Sequence, residues 1–253
     1  MATRPFRHLQ REIAACERCP RLRDHCRAVA RQRRPMFHDE DYWGRPVPSF
    51  GTPPARLLIV GLAPAAHGAN RTGRMFTGDS SGDWLYDALH RFGLANQARS
   101  VSSGDGLQLH DTVITAAAHC APPGNRPTAE ELANCRPFLR RELRIVRPRL
   151  VLCLGRIAYE SWWKVLGEEG VEQPRPRPGF GHNRLVEIPG GPRRPRAEGV
   201  ARILLSYHPS RQNTNTGRLT REMWYAVFRR VREELDRLDA PGRPRDPRTT
   251  AQR

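Results

Sequence analysis

Lysine is almost missing from this chain: Lys164 stands alone among 43 Lys and Arg residues. Chemistry that needs an amine to form a Schiff base therefore has a single candidate, and it follows Trp162-Trp163 on a helical stretch away from any strand end. Long apolar runs are missing too. No segment approaches the roughly 18 apolar residues that cross a bilayer as a helix, so no membrane partner is expected. Met1 to Gln10 is polar and lacks the apolar centre of a secretory signal, which makes a cytoplasmic location the expectation. In that compartment six cysteines point to metal ligands or buried thiols more than to disulfides. Acidic residues are scarce, with 26 Asp and Glu leaving the 253 residues at a formal charge of +17. A chain this basic meets a polyanion, most often nucleic acid. Its dominance by arginine fits bidentate phosphate contacts, and fits GC-rich coding equally well.

What is present is organised around one stretch, residues 61–79. The apolar run Leu57-Leu58-Ile59-Val60 reads as a buried strand, and the segment from Ser80 to Leu89 carries apolar residues at helical spacing. Between them lies a long loop at the carboxyl end of a strand, where open α/β sheets place their ligand sites. It holds glycines, His67, Asn70, two arginines and Asp79, more chemistry than a connection needs.

The remaining chain repeats the pattern. Residues 5–34 read as helix and contain Cys16-Glu17-Arg18-Cys19, and residues 35–56 read as an ordered loop. Residues 97–111 read as a surface loop. Thr112 to Ala118 is a second strand, followed by a loop with Cys120 and Asn125, then a helix opened by a Thr128/Glu131 capping box and carrying Cys135. Pro148 to Gly155 is a third strand and Val200 to Tyr207 a fourth, with an irregular stretch at 171–199 between them. The fourth strand delivers His208 and a polar loop, then a helix over roughly Thr220–Leu238. Strands alternating with helices predict a parallel sheet covered on both faces. One domain is expected over residues 1–239, the Cys-x-x-Cys helix included, and a disordered basic tail over 240–253.

In a parallel sheet three strand-end loops share one edge and can line a pocket. They offer His67, Asp79, Asn125, His208 and Phe76. Asn125 can both donate and accept, which suits a base edge; a histidine at a strand end can donate to an oxyanion; Phe76 can stack on a flat ligand. Cys16, Cys19, Cys120 and Cys135 make a second group, able to hold a tetrahedral zinc or a [4Fe–4S] cluster, and spacing does not choose between the two. Cys153, inside a strand, reads as a core residue, and Cys26 as a spectator.

Three of these segments resemble one family. Gly61-Leu62-Ala63-Pro64-Ala65-Ala66-His67-Gly68 with Asn70-Arg71-Thr72-Gly73-Arg74 and Phe76-Thr77-Gly78-Asp79 is similar to motif one of the family 5 (type b) uracil-DNA glycosylases. His208-Pro209-Ser210-Arg211-Gln212-Asn213 through Thr220 resembles the family's second motif, and Cys120 to Thr128 its middle segment. The resemblance implies a three-layer α/β/α sandwich around a four-stranded parallel sheet, with a [4Fe–4S] cluster on Cys16, Cys19, Cys120 and Cys135. It implies that the water-activating carboxylate of other glycosylases is replaced near Ala63, Ala65 and Ala66, its role passing to Asp79. Asp79, His208 and Asn125 would then be catalytic, and Gly61, Leu62, Ala63 and Phe76 would complete the base pocket. Asn70, Arg71, Ser210, Arg211, Gln212 and Asn213 would touch DNA, and His67 would shape the loop. The implied activity is monofunctional base release by a monomer, from uracil and other deaminated bases in double-stranded DNA, leaving an abasic site. A relative that traps DNA through a histidine carries a basic insertion after the first motif, which this chain lacks. A non-catalytic, metal-stabilised nucleic-acid-binding module is the competing reading, since charge and cysteines alone fit it as well.

Overall fold

Period-two alternation in the strands dictates the architecture. A computed structural model describes residues 3–188 and 202–239. β2 (Leu57–Gly61), β3 (Thr112–Ala116), β4 (Leu150–Leu154) and β6 (Arg202–Ser206) run parallel in the order β3-β2-β4-β6. Leu58 lies beside Val113 and Val151, and Val151 beside Ile203. Successive side chains of a strand point to opposite faces, so each strand feeds two cores. Leu57, Ile59, Leu152 and Leu204 face α4 (Ser80–Arg91) and α8 (Arg221–Asp239), where Leu85, Leu89, Trp224 and Phe228 are buried. Leu58, Val60, Val151 and Leu205 face α5 (Ala129–Val146) and α6 (Arg156–Glu168), against Leu139, Trp162 and Leu166. This is the three-layer α/β/α sandwich with four parallel strands at its centre. Cys153 lies fully buried in the second core, as a small apolar residue would.

The sheet is wider than the sequence implied. β1 (Phe50–Gly51) adds antiparallel to β3, and β5 (Arg184–Glu187) antiparallel to β6, giving six strands. The two edges lie in stretches read as loop and as irregular, because a two-residue strand has no periodicity and β5 buries only Val186. The amino-terminal helix is also two helices, α1 (Arg4–Ala14) and α2 (Pro20–Gln32). Pro20 cannot donate to a preceding turn and pushes Cys19 out of helical geometry, to φ −120°, ψ 87°. The break sets Cys16 and Cys19 in a bend between helices. The 97–111 segment is not merely surface: Ser100, Leu107 and Asp105 turn inward. The capping box on α5 forms as expected. The expected tail at 240–253, the start of the fourth strand at Val200 and the end of the 171–199 stretch lie outside the described residues. No helix among the described residues is long and apolar enough to cross a membrane.

Candidate active site and cysteine cavity

The carboxyl ends of β2, β4 and β6 meet over Phe76. This residue takes a left-handed backbone, φ +54°, uncommon for a bulky side chain and a form of strain that gathers at functional sites. Its ring lies on Gly61, the last residue of β2, where a methyl group would sit 2.9 Å from the ring. The other neighbour of the ring is His208, stacked with centroids 5.8 Å apart and planes inclined by 27°. Gly155, at the end of β4, lies alongside, close enough that a Cβ there would be 3.6 Å from the His208 Cβ. Asn213 on α7 (Arg211–Asn215) donates to the His208 carbonyl at 2.8 Å and fixes the turn. Burial lowers the His208 pKa to about 4, so the ring is neutral at pH 7. Among the described residues its ring nitrogens make no hydrogen bond.

Asp79 caps α4. Its Oδ1 accepts from the amides of Ser81 at 2.9 Å and Gly82 at 3.0 Å. Oδ2 lies against Gly68, where a methyl group would meet the Asp79 Cγ at 2.9 Å and Cβ at 3.0 Å. Burial raises the Asp79 pKa, opposed by those two amides; neighbouring Asp83 raises it further and Arg211 lowers it. A carboxylate held between amides, with one oxygen still turned to the loop, is poised to act on charge or on water.

The turn that carries Phe76 and Asp79 hangs on a buried network. Arg74 pairs with Asp105 at 2.7 Å and donates to Ser100 Oγ at 2.6 Å and Thr77 Oγ1 at 3.0 Å. Thr77 and Ser100 share a hydroxyl hydrogen bond, and the Gly78 amide donates to the Ser100 carbonyl. Sequence reading missed this network, since Asp105 sits in a polar stretch 31 residues from its partner.

The other expected residues are spread over several segments. Leu62 and Ala63 lie partly buried just past β2, with the Ala118 amide donating to the Leu62 carbonyl at 3.0 Å. Arg211 and Gln212 are exposed on α7, Arg211 within 3.3 Å of Ser80 Oγ, and Ser210 caps that helix through the Asn213 amide. Asn125 is exposed on a 3-10 turn with φ +57°, and among the described residues its side chain bonds to nothing. The expectation that Asn70 and Arg71 touch DNA needs correction. Asn70 is fully buried, donating to the carbonyls of Cys26 and Ala66, and Arg71 is buried between Glu40 and the carbonyls of His67 and Gly78. Both brace the loop from inside, because the short α3 (Ala69–Thr72) turns Asn70 toward α2 and Arg71 toward Phe37 and Glu40, away from solvent. His67 has a loop-shaping contact, Nδ1 to Tyr42 Oη at 3.0 Å.

Cys16, Cys19, Cys120 and Cys135 all line one small cavity between the helix break, the loop after β3 and α5. Asn134 Nδ2 donates to Cys19 Sγ at 3.6 Å. Burial pushes the Cys135 thiol up to about 12 and raises Cys19, as expected for thiols withdrawn from water. Cys26 sits behind the cavity, its Sγ directed at the Ala121 carbonyl. The described residues contain no group of three or more His, Cys, Asp or Glu drawn together as ligands of one metal ion. The donor set, four soft thiols around a common apolar space, fits an iron–sulfur cluster, in which each thiolate binds its own iron.

The family model for the Uracil DNA glycosylase superfamily matches residues 48–232. A Type-5 uracil-DNA glycosylase of Mycobacterium tuberculosis is 48% identical over 223 residues, covering 87% of this chain and 78% of that protein. Type-5 uracil-DNA glycosylases of Pyrobaculum aerophilum and Thermus thermophilus are 47% and 46% identical, covering 87% and 85% of this chain and 88% and 92% of theirs.

Proposed function

The chain belongs to the uracil-DNA glycosylase superfamily, among its type-5 members, and from that premise we propose how its own residues carry the reaction. It is a DNA glycosylase, cleaving the N-glycosidic bond of uracil in DNA and leaving an abasic site. The target nucleotide leaves the stack, since its glycosidic bond cannot be reached inside a duplex. Phe76 stacks on the extruded base above Gly61, with Leu62, Ala63 and Asn125 at its polar edge. Bond breaking places negative charge on the base and positive charge on the sugar. His208, neutral and with its ring nitrogens unbonded among the described residues, donates to the base oxygen that gains charge. Asp79 stabilises the sugar cation or orients water toward it. Ser210, Arg211, Gln212 and Asn213 enter the groove beside the lesion, where exposed arginine meets phosphate. The observation that supports this reading is the stack of Phe76 with His208 over Gly61, with Asp79, three residues on from Phe76, held at the start of α4 by two amides and Gly68.

Residues 1–239 act as one domain and as a monomer in the cytoplasm, on uracil and other deaminated bases in double-stranded DNA. Cys16, Cys19, Cys120 and Cys135 hold a [4Fe–4S] cluster that cross-links the helix break to the loop after β3. Its contribution is structural, and no chemical step passes through it. A panel of duplexes containing uracil, hypoxanthine, xanthine or ethenocytosine tests the breadth; release of uracil alone would overturn it. About four irons per chain in brown protein supports the cluster, and one zinc in colourless protein refutes it.

A further inference from the structure

The cysteine cavity has a cation in its wall. Arg23, on α2, is 2% exposed and lines the cavity with the thiols. Its Nη2 donates to the Gly44 carbonyl at 3.2 Å. Nε lies 3.4 Å from Glu17 Oε2 without hydrogen-bond geometry, and that carboxylate is half exposed and shared with Arg27 at 2.7 Å. Among the described residues Nη1 is buried without a hydrogen bond of ordinary geometry, and the guanidinium acts on the Cys26 thiol behind the cavity. A buried guanidinium with an unused N–H is costly unless an anion answers it. The other arginine in the wall, Arg18, is exposed and turned over the Phe138 ring at 5.1 Å. His119 Nε2 is also buried without a hydrogen-bond partner among the described residues, while its Nδ1 donates to the Val47 carbonyl at 2.8 Å.

We propose that Arg23 is a charge-compensating site for the cluster, lending its buried guanidinium to the anionic assembly of iron, sulfide and four thiolates. This rests on the cluster reading above. Four thiolates outweigh the charge of an iron–sulfur core, so the loaded cavity is a net anion, and adding an electron makes it more so. A fixed cation stabilises the more negative state of whichever redox couple is measured and holds the midpoint up. Arg23 is a positioning residue for the cofactor: it lies on α2, among the described residues it has no contact with Asp79 or His208, and it takes no part in base release.

The test uses the full chain purified anaerobically as wild type, R23Q and R23K, with iron and labile sulfide measured and midpoints taken from a redox titration followed by visible absorption. R23Q is expected to keep its iron and show a midpoint below wild type, with R23K returned toward the wild-type value. If R23Q loads poorly, full loading of R23K supports the same conclusion. An iron-loaded R23Q with an unmoved midpoint overturns the inference, as does an equal loss of iron from both variants at unchanged melting temperature. Wild type with no iron and no labile sulfide overturns the cluster reading, and this inference with it.

Discussion

Gly68→Ala separates the placement of the Asp79 carboxylate from its chemistry, because it leaves Asp79 in the chain and crowds it. The new methyl would lie 2.9 Å from Asp79 Cγ and 3.0 Å from its Cβ, and closer still to Oδ2, where ordinary contact begins near 3.4 Å. The carboxylate must retreat by about 0.5 Å at Cγ and by more at Oδ2. That displacement stretches the bonds from the Ser81 and Gly82 amides, now 2.9 and 3.0 Å, past useful hydrogen-bond length. Hydrogen bonds to a charged group contribute about 1.5–3 kcal/mol each, and a misplacement of about 1 Å at a reacting group costs on the order of a hundredfold in rate. The assay is single-turnover uracil release from a labelled duplex with enzyme in excess, beside melting temperature and duplex affinity. The expected result is a rate down about a hundredfold with duplex affinity retained. A folded G68A enzyme working within a few-fold of wild type would refute the placement.

Activity should fall with decreasing pH at a pH above the usual carboxylate range, because burial raises the Asp79 pKa and the ionised form does the work; a pH–rate profile checks this. His208 should add no titration between pH 5 and 8, and should make the fold less stable as pH drops from 6.5 toward 4, where the unfolded chain binds the proton first; urea unfolding across that window, flattened in H208N, tests it. Arg74→Ala leaves the Asp105 carboxylate buried without its cation and should cost about 3 kcal/mol or more in denaturant unfolding, with base release impaired in whatever folds. Lys164→Ala should change neither base release nor the absence of strand nicking, since Lys164 is exposed on α6; nicking by wild type that the variant loses would contradict a monofunctional enzyme.

The centre of the fold was legible in the sequence for a physical reason: β2 and β4 are unbroken apolar runs, β3 and β6 have apolar centres, and the Thr128/Glu131 capping box marks its helix. The edge strands were not, because Phe50–Gly51 is too short to carry a period and Arg184–Glu187 is mostly solvated. In the site, Phe76 and His208 were legible as residues, and their stack was not. Asn70 and Arg71 misled because polar residues in a glycine-rich loop look exposed, whereas a single turn of α3 buries both. The Arg74–Asp105 pair needed tertiary contact to appear at all. Cys26 shows the limit of spacing: it stands close to Cys19 in sequence, yet it faces Ala121 from behind the cavity that the other four cysteines line.

The most direct test of the central claim compares wild type with Asp79→Asn in single-turnover uracil release. Asparagine caps a helix about as well as aspartate and removes only the charge, so the variant keeps α4 and, with the raised carboxyl pKa relieved, melts no lower than wild type. The account expects wild type to release uracil and leave an alkali-labile abasic site, and D79N to bind the duplex with its rate down a hundredfold or more. D79N releasing uracil at the wild-type rate would contradict it.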